Sequence, residues 1–165
     1  MAVVNLKGSR VMTPNALTPA VMGAAGTGGG AVRSWTETVE TNADDSVSST
    51  YLLASLPSNA RIMGLSTISW DDCGTVATAL DVGVYNQTGR SDITDDPDAL
   101  TNGKLMATAG SASLISDIAN YGIPLWDFAT GTVDPVATLD IKASLTDEAV
   151  AAACTITVEI LYTLD

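Results

Sequence analysis

The sequence predicts an all-β protein: an antiparallel β-sandwich, of the jelly-roll kind, behind an extended N-terminal arm. Three observations predict it. Two long segments near the C-terminus alternate apolar and polar residues with period two, the pattern of half-buried antiparallel strands. Other strand-like runs recur roughly every 10 to 15 residues, bounded by Gly, Pro, Asn and Asp. Finally, charge is split along the chain: the first 33 residues carry Lys7, Arg10 and Arg33, while all nineteen acids come later.

The arm comprises residues 1–32 and the body residues 33–165. Apolar stretches in the arm, Met1–Val4 and Val11–Met22, are interrupted by Pro14 and Pro19. Freely disordered tails are poor in such residues, so the pattern predicts docking. Lys7, Arg10, Val11, Met12, Leu17, Val21 and Met22 are the expected contact residues. The run Gly26-Thr27-Gly28-Gly29-Gly30 marks a flexible joint with the body. Fully extended, thirty residues reach roughly 100 Å, enough to cross onto a neighbour.

In the body, Arg33–Thr41 is rich in Thr and Val and reads as the first strand, with Asn42–Ser46 as its turn. Val47–Leu56 is the second and stops at Pro57–Asn59. A third covers Arg61–Trp70 and ends at Asp71–Gly74. Ala77–Asn86 places Leu80, Val82 and Val84 on one face and Asp81, Gly83 and Tyr85 on the other. Gln87–Arg90 then turns the chain into an acidic loop. Ser113–Asn120 predicts a short helix. Leu125–Phe128 predicts a single helical turn closed by Gly131, with Trp126 and Phe128 plugging one end of the core. Asp134-Pro135 opens the next element. Leu139, Ile141, Ala143 and Leu145 alternate with Asp140, Lys142 and Ser144. Cys154, Ile156, Val158, Ile160 and Tyr162 alternate with Thr155, Thr157, Glu159 and Leu161. If these last two strands pair, Lys142 opposite Glu159 is favoured by a few tenths of a kcal/mol.

Composition excludes several functions. A net charge of −12 and a pI near 4.1 disfavour nucleic-acid binding, which needs clustered Lys and Arg. No run of about 18 apolar residues predicts a membrane span, and Lys7 and Arg10 precede no uninterrupted apolar segment, so no Sec export is expected. Histidine is absent, which removes the commonest general base and the usual Ser-His-Asp arrangement. The chain is expected not to be an enzyme.

Cys154 lies on an apolar strand face and reads as a small buried hydrophobe, unlinked to Cys73. Asp92, Asp95, Asp96 and Asp98 form the best, though weak, metal candidate, because closely spaced hard oxygens suit Ca²⁺. They lack the EF-hand order, and a solvated turn is the favoured reading. Asp71-Asp72 and Asp44-Asp45 read as strand-end turns. The Gly26–Gly30 run lacks the Lys-Ser/Thr ending and the flanking elements of a phosphate loop. No cofactor is expected.

The layout resembles a group of small tailed-bacteriophage virion proteins that act as head-decoration or auxiliary capsid proteins. The matching features are the Met1-Ala-Val-Val-Asn5 start with a Gly-rich arm, and a Ser-x-x-Tyr strand running into Leu56-Pro57-Ser58-Asn59-Ala60-Arg61-Ile62. Further matches are Leu80-Asp81-Val82-Gly83-Val84-Tyr85-Asn86, Pro124-Leu125-Trp126, and Asp134-Pro135 before Leu139-Asp140-Ile141. The resemblance implies a non-enzymatic β-rich subunit made in the host cytoplasm. It would sit in many copies on the capsid exterior, with the major capsid protein as partner. Closed symmetry, a trimer before a dimer, would let each arm lie on the next copy. The alternative is a phage adhesin or glycan-binding module, such as a head-fibre or tail-tip domain.

Overall fold

The chain divides into Met1–Ala31 and Val32–Asp165. The computed structural model describes residues 31–74, 78–87 and 89–164. The arm, with Lys7, Arg10, Val11, Met12, Leu17, Val21 and Met22, lies outside the described residues.

Nine strands build the body: β1 (Arg33–Glu40), β2 (Thr50–Pro57), β3 (Ala60–Ile62), β4 (Thr67–Trp70), β5 (Ala79–Asn86), β6 (Asp96–Leu105), β7 (Gly110–Ser113), β8 (Thr138–Thr146) and β9 (Thr155–Leu164). One sheet runs β1-β9-β4-β7, with β3 also on β9, and the second runs β2-β8-β5-β6. With β3 set aside, the eight remaining strands stand in chain order 1-8-3-6 and 2-7-4-5. That is a jelly roll, as the strand spacing predicts. Every pairing is antiparallel. The core lies between the sheets, where Leu139, Ile141 and Leu145 of β8 join Ile156, Val158 and Ile160 of β9 in one cluster.

β8 is central in its sheet, and most of its residues are buried on both faces. Its outer side includes Asp140, only 6% exposed. A buried carboxylate needs partners, and it has them: Ser55 Oγ donates at 2.6 Å, Gln87 Nε2 at 3.3 Å, and Lys142 Nζ lies at 3.5 Å. The outer side of β5 is covered because β6 departs from its register. Val82 faces Thr101 and Val84 faces Asp96, so residues 97–100 form an irregular insertion between them, with Leu100 buried in the core. Gly83 permits the crossing: a Cβ there would collide with the Asp96 and Pro97 carbonyls.

Four sequence expectations are corrected. The final two strands do not pair. β8 and β9 belong to opposite sheets, so Lys142 faces Leu52 and Gly83, and Glu159 faces Thr36 and Thr67. Arg61–Trp70 is two strands, because the chain turns at Met63–Ser66 (Ser66 N–H to Met63 O, 3.0 Å). The buried Ser66 hydroxyl bridges the gap in the ladder, accepting from Leu161 N–H at 2.9 Å and donating to the Leu161 carbonyl at 3.1 Å. Ser113–Asn120 is not one helix: Ser113 ends β7, Leu114 and Ile115 enter the core, and only Ile118–Asn120 makes a 3-10 turn. The predicted helical turn exists as α1 (Leu125–Ala129), yet it buries Leu125 and Ala129. Phe128 packs half-buried against the core and Trp126 stays half-exposed.

Candidate interaction surface

β1 follows the arm directly and is an edge strand of its sheet. None of its eight residues is buried, although it pairs along its whole length with β9. Directly opposed residues share a face. Trp35, Glu37 and Val39 therefore stand on the core side, opposite the buried Ile160, Val158 and Ile156. Ser34, Thr36, Thr38 and Glu40 stand outside, where the Thr38 and Thr157 hydroxyls meet at 3.0 Å.

Trp35 bolts this edge to the other sheet. A bulge between Leu52 and Ala54 frees the Leu53 carbonyl from the β2–β8 ladder, and the Trp35 indole N–H donates to it at 2.9 Å. The indole is still 39% exposed. Trp70 engages its own N–H with the Thr108 carbonyl at 3.0 Å. Neither indole is a free aromatic platform with a bare donor. Near the start of β2, the Tyr51 hydroxyl donates a short hydrogen bond to Asp45. Burial, then that bond, pushes the phenol far above its usual range, and the bond holds the Asp45 carboxyl below its own.

The acidic loop is held by its own neighbours. Arg90 grips Asp92 with two bonds, Nε–H at 3.0 Å and an NH2 group at 2.6 Å, and also donates to the Pro135 carbonyl at 3.0 Å. Asp95 accepts from Asn86 N–H at 2.7 Å. Asp98 accepts from Asn102 Nδ2 at 2.6 Å. Asp96 and Asp98, with Asp127, Asn120, Ile123 and Phe128, line an open pocket of about 450 Å³. Burial, then Asp98 close by, raises the Asp96 carboxyl above the usual carboxylate range. Among the described residues, no three of Asp92, Asp95, Asp96 and Asp98 converge on one point. The group that does converge is Asp71, Cys73 and Cys154.

That group reveals a further correction, for Cys73 and Cys154 are joined in a disulfide with their Cα atoms 4.9 Å apart. β4 and β9 are neighbours with Trp70 opposite Ile156, and Asp71 N–H donates to the Thr155 carbonyl at 3.1 Å. The residues just past the two strand ends are thereby brought together. A separation of 81 residues conceals this in the sequence. Cys154 is nonetheless buried, as expected, and the Thr41 hydroxyl accepts from its backbone N–H at 3.0 Å.

One signal for β1 was available in the sequence. Its core-side residues read Trp35-Glu37-Val39, and a charge in that series marks an edge.

The architecture is a jelly roll, a fold shared by viral capsid and lectin domains. Its chain course matches a chain in the capsid asymmetric unit of cyanophage Pam1, with a TM-score of 0.58 and 21% identity. The match covers 93% of this chain and all of that one. A chain in the capsid of Ralstonia phage GP4 is similar with a TM-score of 0.50 and 14% identity, over 81% of this chain and 85% of that one. No protein-family model and no curated protein matches the sequence. The fold expected from the resemblance to phage virion proteins is therefore the fold observed.

Proposed function

We propose that this chain is a non-enzymatic virion structural protein that decorates or cements the outside of a phage capsid, its arm docking on a neighbouring subunit or the shell. The observation that carries this reading is the end-to-end match: 93% of this chain lies on the whole of a chain from a phage capsid. Two features of the chain support the same reading. It lacks histidine altogether, and its basic, acid-free leader precedes a body with nineteen acids and five bases.

The energetics favour docking through the main chain. Apolar anchors in the arm are worth about 1.5–3 kcal/mol each when fully buried. Ordering its backbone opposes this by about 1–2 kcal/mol per residue. Burial of these few anchors does not by itself offset that cost, so main-chain hydrogen bonds from strand addition are needed as well. A closed oligomer, a trimer first, lets each arm reach the next copy, and repeated weak contacts over a shell add through avidity.

The test is deletion of residues 1–30. The expected product keeps the far-ultraviolet circular dichroism of a β-sandwich but no longer co-sediments with capsids. Undiminished capsid binding by the deletion would remove the arm from this function. Absence of the protein from purified particles would remove the virion role itself.

A further inference from the structure

The outer edge of β1 brings together unused backbone bonding capacity and a selective charge. Thr41 N–H donates to the Cys154 carbonyl at 2.9 Å, one step beyond the register pair Glu40–Thr155. Bonded and non-bonded pairs alternate along an antiparallel ladder. The odd-numbered residues of β1 therefore bond to β9, and Ser34, Thr36, Thr38 and Glu40 turn their N–H and C=O groups the other way. Among the described residues, no strand lies on that side. One of these amides is occupied: Thr38 N–H donates to Glu37 Oε1 at 3.1 Å. Glu37 thus stands on the core side of an edge strand and caps an outward amide, a device that discourages indiscriminate pairing.

The same residue discriminates between occupants. Two β1 edges related by a two-fold axis, bonded through even residues in the register Thr36–Thr38, would set one Glu37 against the other. Like charges directly opposite are destabilising. A strand with Lys or Arg at that position is favoured instead. Residues 2–13 hold Lys7 and Arg10, with no acid and no proline. Beyond them, Pro14 and Pro19 lack the amide that a ladder requires. Residues 14–32 then span up to about 60 Å, enough to carry that stretch to another subunit.

We propose that the free edge of β1 accepts residues 2–13 of a second copy of this chain as an added strand. Lys7 or Arg10 comes to lie opposite Glu37 and draws its carboxylate off the Thr38 amide. This inference rests on the arm docking proposed above and supplies its acceptor.

Sedimentation velocity over a dilution series of the full chain tests it. Glu37→Lys weakens self-association at least tenfold, and so does Lys7→Glu combined with Arg10→Glu. Joining all three changes restores association. Thr36→Pro, which deletes an outward amide but no bond to β9, weakens association to a similar extent. Circular dichroism confirms that each variant is folded, and Glu37→Gln, with an intermediate loss, stands in for any that is not. Native association in folded Glu37→Lys and Thr36→Pro overturns the inference, as does a monomeric wild-type chain. Capsid co-sedimentation separates the two proposals. If deletion of residues 1–30 abolishes binding to particles while the β1 variants associate and bind normally, the arm docks but not on β1. If the deletion binds normally, the arm reading falls and this inference with it.

Discussion

β8 and β1 are alike in length and opposite in burial. β8 is nine residues long and sits between two strands, with Leu139, Ile141, Ala143 and Leu145 shut inside and even Asp140 enclosed on the outer side. β1 is eight residues long, pairs fully with β9, and has no fully buried residue, Val39 being only partly covered. Pairing along a whole neighbour therefore does not by itself bury a strand, and removal of apolar surface from water is a separate contribution. What β1 lacks in burial it keeps as hydrogen-bonding capacity, and that is what a contact surface requires.

The sharpest way to break the comparison is at Ile141. This side chain is wholly enclosed, and Ile141→Ala should cost about 2–5 kcal/mol through lost burial and the cavity left behind. The urea midpoint measures it, and a loss under 1 kcal/mol would mean that β8 is not the strand on which the core depends. Next is the disulfide. It closes an 81-residue loop between the ends of β4 and β9. Cys73→Ser with Cys154→Ser, compared with wild type in the absence of reductant, should lose about 2–5 kcal/mol. The smallest effect belongs to β1. Trp35→Phe removes the bond to the Leu53 carbonyl and should lower stability by about 1 kcal/mol. Amide exchange should accelerate in β1 and leave β8 unchanged. Equal acceleration in both strands would show that the edge and the centre unfold as one unit.

The parts of the fold legible in the sequence are those governed by near neighbours. Alternation at Leu139–Leu145 and Cys154–Tyr162 placed two strands, because side chains on a strand change face at every residue. Leu80, Val82 and Val84 were assigned to the core face of β5 for the same reason. The single turn at Leu125 was marked by Gly131 after it. Misreadings arose where a distant partner decides. Residues 61–70 look continuous until Ser66 is seen bonding Leu161 across the ladder. The disulfide depended on β4 and β9 being neighbours. Of the candidate sites, the arm is read from its charge and prolines alone and lies outside the described residues. The Glu37 guard was visible only as an odd charge until the register fixed its face.

Composition and periodicity, taken alone, determined that this protein is a β-sandwich with a basic leader, an acidic body and no histidine chemistry. These follow from properties each residue carries with it: charge, side-chain polarity, and the two-residue repeat of a strand. Only the tertiary structure decided that β8 and β9 lie in opposite sheets, that Cys73 meets Cys154, and that β1 has, among the described residues, no strand on its outer side. Those are outcomes of which strands become neighbours. Neighbours are chosen by the closure of two sheets around one core, a condition the whole chain satisfies at once.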